Sequence, residues 1–145
     1  MHDIRIDELR SKRAAIDAQK RKELYEKFAI TAAKYLSLEH NKNAGYIAVI
    51  PRSPAELITE GEALRHCVGK MGYDQRFAEE RSIIIFIRSA SKPQIPLVTV
   101  EYSPEKHKIL QCHGESNTEP KQEVRDYIYK KWLPYANRQI KKILA

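Results

Sequence analysis

The run at residues 82–87, Ser-Ile-Ile-Ile-Phe-Ile, constrains the fold most. Its apolar residues continue without alternation, which predicts a strand buried on both faces. Residues 96–102 and 108–112 predict two further strands, and the sequence Ser-Pro-Glu-Lys at 103–106 predicts the turn between them. Because this link is short, we expect the two strands to form an antiparallel hairpin. Residues 46–50 predict one more buried strand, which the following proline stops.

The first 40 residues differ from this centre, since residues 7–40 contain neither proline nor glycine and predict one long helix or two collinear ones. Apolar residues at helical spacing form one stripe at 24–36. The part before it is densely charged and has little to bury, so it either projects or packs on a partner. Residues 41–45, Asn-Lys-Asn-Ala-Gly, predict a break. We therefore divide the chain into an N-terminal helical extension, 1–44, and a core domain, 45–145.

A second helix is predicted to begin at Ser53-Pro54-Ala55-Glu56. Serine can cap the free N–H groups, proline suits the first helical position, and the glutamate completes a capping box. We expect this helix to end at Gly69 or Gly72, which places His66 and Cys67 in its last turn or just beyond.

A final helix is predicted to begin near Thr118, because Val124, Ile128 and Trp132 repeat every four residues. Pro134 should kink or end it. Together the segments predict an α+β fold: a small antiparallel sheet of about four strands packed by helices, with a long charged N-terminal helix and an amphipathic basic C-terminal helix.

The charge of the chain is uneven, with a net charge of +7 overall. Residues 119–145 contain seven basic residues and three acidic ones. Such a segment can bind phosphates by Coulomb attraction and counterion release, or it can be a solubilising helix face. The candidate nucleic-acid-binding residues are Lys121, Arg125, Lys130, Lys131, Arg138, Lys141 and Lys142.

The composition also bears on location and partners. No apolar run approaches the roughly 20 residues that cross a bilayer, and the N-terminus has no apolar signal-peptide core, so we expect a cytoplasmic protein without membrane contact. In a reducing compartment the two cysteines are expected to be free thiols or metal ligands, although a single disulfide between them stays open.

Residues with unusual chemistry are concentrated in two short segments, His66-Cys67-Val68-Gly69 and Gln111-Cys112-His113-Gly114, followed by Asn117. Two cysteines and two histidines are a good zinc inventory, but in each segment the two ligands are adjacent and point apart, whereas zinc fingers space them two to four residues apart. We therefore predict no metal site and no cofactor. A thiolate nucleophile at Cys67 with His113 as its base is one hypothesis, and a packed core cysteine is the other.

A polar pocket is the third hypothesis for these segments. On the predicted hairpin, Thr99 and Glu101 share one face and Gln111 and His113 share one face, so pairing would join them into one polar surface. Arg88 ends the preceding strand and could pair with Glu101. The alternative is an ordinary solvent-exposed sheet face. The candidate catalytic residues from these segments are His66, Cys67, Arg88, Glu101, Gln111 and Asn117.

An ordered set of segments from about residue 46 to residue 132 resembles the PcfJ-like family of conjugative plasmids, phages and related elements. The segments are residues 47–51, Glu-Gly-Glu-Ala-Leu at 60–64, His-Cys-Val-Gly at 66–69, Ile-Phe-Ile-Arg at 85–88, Pro-Leu-Val-Thr-Val-Glu at 96–101, Gln-Cys-His-Gly at 111–114, Asn117, and a helix bearing Trp132. The resemblance implies a protein of a mobile genetic element in a bacterial cytoplasm. It implies no particular activity.

Three functions are consistent with these observations. The first, which we favour, is an accessory protein of a mobile element that binds nucleic acid through its basic C-terminal segment, where interleaved aromatic residues could stack on unpaired bases. The second is a small inhibitor or adaptor that binds a host or element-encoded protein, such as a defence nuclease. The third is a nucleotide- or phosphodiester-processing enzyme. The N-terminal helix could also mediate a homodimer.

Overall fold

The structure is a computed structural model that describes residues 2–41 and 45–145. Its helices and strands are, in chain order, α1 His2–Lys34, β1 Tyr46–Val49, α2 Pro54–Leu64, α3 Tyr73–Ala78, β2 Ile83–Ser89, β3 Val98–Ser103, β4 Lys108–His113, α4 Gln122–Asp126 and α5 Leu133–Ile143. The predicted α+β fold is confirmed. Residues 42–44 of the predicted break, and with them the proposed division after residue 44, lie outside the described residues.

The four strands form one antiparallel sheet in the order β1-β2-β3-β4. The predicted hairpin of β3 and β4 is confirmed, and residues 83–87 of β2 are buried as expected. The fourth predicted strand, β1, is an edge strand and is only half-buried apart from Ala48. It is therefore less buried than its apolar sequence predicts.

The register of the sheet gives it two chemically different faces. Glu101 lies opposite both Ile84 and Gln111, and Thr99 lies opposite His113, so all five side chains share what we call the pocket face. The other face, here the core face, carries the alternate residues of the same strands. Its β3 and β4 members include Val98, Val100, Tyr102 and Cys112, all buried.

Large aromatic side chains cover the core face. Trp132 is fully buried, meets Tyr102 edge to face at 5.5 Å, and donates its indole N–H to the Leu38 carbonyl at 2.9 Å. Elsewhere in the hydrophobic core, Phe28 of α1 stacks on Phe77 of α3 with ring centroids 4.1 Å apart. Burial of such side chains contributes about 1.5–3 kcal/mol each, so they stabilise the scaffold against which the pocket face is held.

The C-terminal helix begins at Gln122, later than Thr118, and continues past Pro134 to Ile143. A π-helical segment, Tyr127–Trp132, precedes the proline. Pro134 has no N–H to donate, and the wider turn before it places the Leu133 N–H on the Ile128 carbonyl, five residues back. The helix is thus locally widened and continues, where the sequence predicted a kink or an end.

The first part of α1 is solvent-exposed, since every residue from 5 to 23 is exposed in the single chain. Its exposed apolar side chains include Ile6, Leu9 and Ile16. The stripe at 24–36 behaves differently, because Phe28, Ala32 and others of its residues enter the core. Among the described residues no helix combines the length and apolar character that a membrane span requires.

Candidate functional site

The His-Cys-Val-Gly segment is positioned by a tight reversal after α2. The helix starts as predicted, with the Glu56 carboxylate accepting from the Ser53 N–H at 3.0 Å. It ends at Leu64, before both predicted ends, Gly69 and Gly72. Arg65 adopts a left-handed conformation (φ 54°), and the chain then folds back as a short 3₁₀ turn, Cys67–Gly69. His66 and Cys67 therefore lie beyond the helix.

Two glycines allow this turn to pack directly on α2. A Cβ at Gly69 would lie 2.6 Å from the Ile58 Cα, and a Cβ at Gly61 would lie 3.0 Å from the Gly69 nitrogen. These neighbours are backbone atoms that cannot turn away, so both positions need glycine for close approach. The contact holds His66 and Cys67 at the pocket face of the sheet.

His66 is held by hydrogen bonds at both ring nitrogens. Its Nδ1 accepts from the Val68 N–H at 3.4 Å, so in the neutral ring the proton is on Nε2. Nε2 then donates to the Thr99 hydroxyl oxygen at 2.9 Å. Burial lowers the pKa of His66, and the neighbouring His113 lowers it further. The geometry and the pKa both favour a neutral imidazole that joins the turn to β3.

This lowered pKa predicts a pH-dependent stability. The unfolded chain, with an ordinary histidine pKa near 6.5, binds a proton before the folded chain does as the pH falls. The contribution of neutral His66 to the free energy of unfolding should therefore be complete above pH 6.5. It should decrease as the pH falls from that value to the lower folded-state pKa. Urea denaturation of wild type and His66→Asn from pH 7.5 to 5.0 measures this, and the difference between the two curves should shrink with acidification.

His107→Asn is the matched control, because His107 is an exposed histidine in the β3–β4 turn. Its curve should run parallel to that of wild type. Parallel curves for His66→Asn as well would show that His66 binds its proton equally in the folded and unfolded chains.

A cavity of about 350 Å³ lies between this turn and the hairpin. Its apolar lining includes Val68 and Ile84, both buried. Its polar lining is His66, Cys67, Tyr73, Thr99, Glu101, Gln111, His113 and Asn117. Such a volume is at the small end of the range for ligand pockets. The predicted pocket between the hairpin and the end of the helix is therefore present.

Glu101 is the most buried polar residue in the lining of the cavity. Its side chain is 5% exposed, and its nearest cation is Arg76, whose Nη1 lies 3.7 Å from a carboxylate oxygen. That distance exceeds a hydrogen bond, and among the described residues no hydrogen bond to this carboxylate is present. The alternative was an ordinary solvent-exposed sheet face. It accounts for the exposed Gln111 but not for the buried Glu101 and Thr99.

Tyr73 and Arg76 belong to the site although the sequence did not single them out. They are three residues apart on α3, and the Arg76 guanidinium lies over the Tyr73 ring at 4.1 Å. The Tyr73 hydroxyl accepts from the Gln111 amide at 3.3 Å. The available signal was the i, i+3 spacing of an aromatic and an arginine directly after Gly72.

The predicted pairing of Arg88 with Glu101 is wrong. Arg88 lies on the pocket face but farther along β2, and its guanidinium binds Glu60 of α2 through two contacts of 2.5 and 2.7 Å. Both side chains are largely buried. Arg88 therefore joins α2 to the sheet and does not line the cavity, whereas the other five candidate catalytic residues do.

The two cysteines lie in different surroundings. Cys67 is exposed at the cavity, whereas Cys112 is buried on the core face, where burial raises its pKa to about 11. Both are free, so the disulfide left open by the sequence is absent. Among the described residues no hydrogen bond joins Cys67 to a histidine, and no group of three or more His, Cys, Asp or Glu side chains could hold a metal ion. The geometry thus offers no activated thiolate.

The candidate nucleic-acid-binding residues divide into two groups. Arg125 lies 3.9 Å from Glu119, and Lys130 lies 3.5 Å from Asp126. The remaining five are exposed and have no acidic partner within 4 Å in the described part of the chain: Lys121, Lys131, Arg138, Lys141 and Lys142. The interleaved aromatic residues are Tyr127, Tyr129, Trp132 and Tyr135. Of these, Tyr127 and Trp132 are buried and cannot stack on bases, Tyr135 is half-buried, and Tyr129 is exposed.

The fold and the cavity define a small α+β protein in which a ligand-sized cleft is built between a helix-terminal turn and an antiparallel hairpin. The chain belongs to the PcfJ-like protein family, whose family model matches residues 1–129. The match includes α1, which lies outside the segments that carried the resemblance.

One curated relative is an uncharacterized protein of Listeria innocua serovar 6a, 36% identical over 81 residues. The alignment covers 56% of this chain and 17% of that protein, so the chain spans about a sixth of the relative's length. No solved structure matches the chain.

Proposed function

We propose that the protein is an accessory factor of a mobile genetic element and that it binds nucleic acid through the C-terminal helix. The observation that carries the proposal is the absence of acidic residues from 127 to 145, a segment with five lysines and arginines. Lys130 of this segment pairs with Asp126, but the other four have no acidic side chain within 4 Å in the described part of the chain. They are therefore available to replace the counterions of a phosphate backbone.

The positions of these cations support a continuous binding surface. Lys131, Arg138 and Lys142 are separated by seven and four residues, which brings them to one side of the helix. Trp132, Ala136 and Ile140 lie on the other side and are fully buried. Lys131 and Lys142 are about 16 Å apart along the helix axis at 1.5 Å per residue. We call Lys131, Arg138, Lys141 and Lys142 the basic stripe.

Salt-dependent binding tests this proposal. We expect wild type to bind single- and double-stranded DNA and RNA with an affinity that falls steeply as salt rises. The variant Lys131→Gln, Arg138→Gln, Lys142→Gln removes three cations from the stripe. For duplex DNA it should lower the slope of log affinity against log salt by roughly 2 to 3, at about 0.9 per phosphate contact. Fluorescence anisotropy between 50 and 300 mM salt, on the order of the range over which such contacts are lost, measures the slope.

The matched control removes three exposed lysines that lie outside the C-terminal helix: Lys92→Gln, Lys106→Gln, Lys108→Gln. It has the same net charge, so an equal slope change in both variants would mean that total charge, and not the stripe, determines binding. An absence of binding by wild type at low salt would contradict the proposal. The adaptor hypothesis would then be favoured, with the exposed face of α1 around Ile6, Leu9 and Ile16 as the surface to test.

A further inference from the structure

We propose that the cavity on the pocket face receives the base of an unpaired guanine nucleotide, with Glu101 as the residue that recognises it. This inference deepens the proposed nucleic-acid function and rests on it for the biological source of the nucleotide. The basic stripe holds a phosphate backbone without regard to sequence, whereas the cavity would read one base.

The argument begins with the unfilled acceptors of Glu101. A carboxylate buried to this extent is costly unless donors satisfy its oxygens. Arg76, at 3.7 Å, reduces the cost of the charge without making a hydrogen bond. Arg76 is also held in place, since it lies over the Tyr73 ring and donates to the Met71 carbonyl at 3.4 Å. The carboxylate therefore borders the cavity with acceptor capacity that a ligand can fill.

The shape of a carboxylate selects the ligand. Its two oxygens accept two parallel hydrogen bonds from a planar group with adjacent N–H donors. Among the common bases only guanine presents two such donors side by side, the ring N1–H and the exocyclic amino group. Adenine and cytosine offer one amino group beside an acceptor, and that acceptor would face the carboxylate. The chemistry of Glu101 thus favours guanine.

The rest of the cavity suits a flat ring. Val68 and Ile84 provide buried apolar surface, and Tyr73 provides an aromatic ring. Proteins that read an extruded base combine these two elements, apolar or aromatic packing and hydrogen bonds to its pairing edge. The exposed amides of Gln111 and Asn117 border the same space and can meet the remaining polar atoms.

A second cleft beside the cavity suits the phosphate. The two clefts share His66 and Cys67, and the second is also lined by Arg65 and Lys70, both exposed. Glu62 also lines this second cleft, so its three charged residues together carry a net charge of +1. A base in the first cleft would thus leave its sugar and phosphate close to two cations.

Titration calorimetry with mononucleotides tests the inference without any polymer. GMP should bind wild type at least about tenfold more tightly than AMP, CMP or UMP, the usual discrimination of one bidentate pair. IMP has the ring N1–H but no exocyclic amino group, so it should bind between GMP and AMP. This comparison needs no variant. Glu101→Gln should weaken GMP binding by at least about tenfold and remove the preference, while Glu105→Gln, on the exposed turn, should change neither.

Three results of these experiments would overturn the inference. Equal binding of all four mononucleotides would show a cavity that does not read the base, and unchanged GMP binding by Glu101→Gln would place the nucleotide elsewhere. N-acetyl-arginine amide offers the same pair of donors. If this compound binds and GMP does not, the cavity receives an arginine side chain of a protein partner and not a base.

The two proposals fail separately. If salt-dependent polymer binding by the basic stripe is present but GMP does not bind, only the base pocket is wrong. If GMP binds but the stripe variant leaves polymer affinity unchanged, only the proposed binding surface on the C-terminal helix is wrong.

Discussion

Replacing Arg88 by methionine is expected to lower the free energy of unfolding by about 3–5 kcal/mol, the usual cost of breaking a buried ion pair. Methionine retains most of the side-chain volume, so the loss comes from Glu60, which is 2% exposed and would keep a buried carboxylate without its partner. Burial raises the pKa of Glu60, and the Arg88 guanidinium opposes that rise.

The pH dependence of this variant follows from the same carboxylate. Without Arg88 the folded-state pKa of Glu60 should rise further, so the folded chain would hold a proton that the unfolded chain releases. The deficit in the free energy of unfolding should then grow as the pH rises above about 4.5, the ordinary value, and should be larger at pH 8 than at pH 5. Urea denaturation at the two pH values measures it.

The double variant Glu60→Leu, Arg88→Met is the control for this interpretation. It removes both charges, and replacement of a buried ion pair by apolar residues is often neutral or stabilising. It should therefore recover most of the stability lost in Arg88→Met. The losses of unfolding free energy in Glu60→Leu and in Arg88→Met can be added and compared with the loss in the double variant. If the sum equalled the loss in the double variant, the two residues would act independently and the ion pair would not be the cause.

Gly69→Ala is expected to have the second largest effect, a loss of about 2–3 kcal/mol, because one added carbon would overlap backbone atoms of α2. The new Cβ would lie 2.6 Å from the Ile58 Cα and 3.0 Å from the Leu57 carbonyl oxygen. The His-Cys-Val-Gly turn would have to move away from the helix, and the His66–Thr99 hydrogen bond would weaken with it. Thermal denaturation should show a melting temperature lower by on the order of 10 °C.

Gly45→Ala is the matched control, since a Cβ at that glycine would meet nothing within 4 Å. Its melting temperature should stay within a few degrees of wild type, because the substitution adds no contact. A melting temperature for Gly69→Ala that also equals the wild-type value would show that the turn can leave α2 at little cost.

Much of the fold could be predicted because its signals are local. The unbroken apolar run of β2 and the turn between β3 and β4 determine the strands within a few residues. The alternation of side chains along each hairpin strand places Thr99 with Glu101, and Gln111 with His113. The two pairs share one face because a β-bulge shifts the register between Tyr102↔Ile109 and Glu101↔Gln111, and the sequence pattern did not predict that bulge.

The errors at the site have non-local causes. The pairing of Arg88 depends on where α2 crosses the sheet, and no spacing within β2 encodes that. The early end of α2 depends on Arg65 adopting a left-handed conformation that suits glycine better. Tyr73 and Arg76 reach the cavity only because the chain reverses there. Each error arose where tertiary contacts, and not local preference, decide the conformation.

The contrast between the two cysteines has a practical consequence. Cys112 is shielded by the C-terminal helix and keeps its proton at neutral pH, whereas Cys67 is exposed at the rim of the cavity. Since a reagent in solution can reach Cys67 but not the buried Cys112, the native chain carries one selective labelling position. A fluorophore on that sulfur would report occupancy of the cavity directly, in an otherwise unaltered protein, and could follow a ligand that causes no turnover.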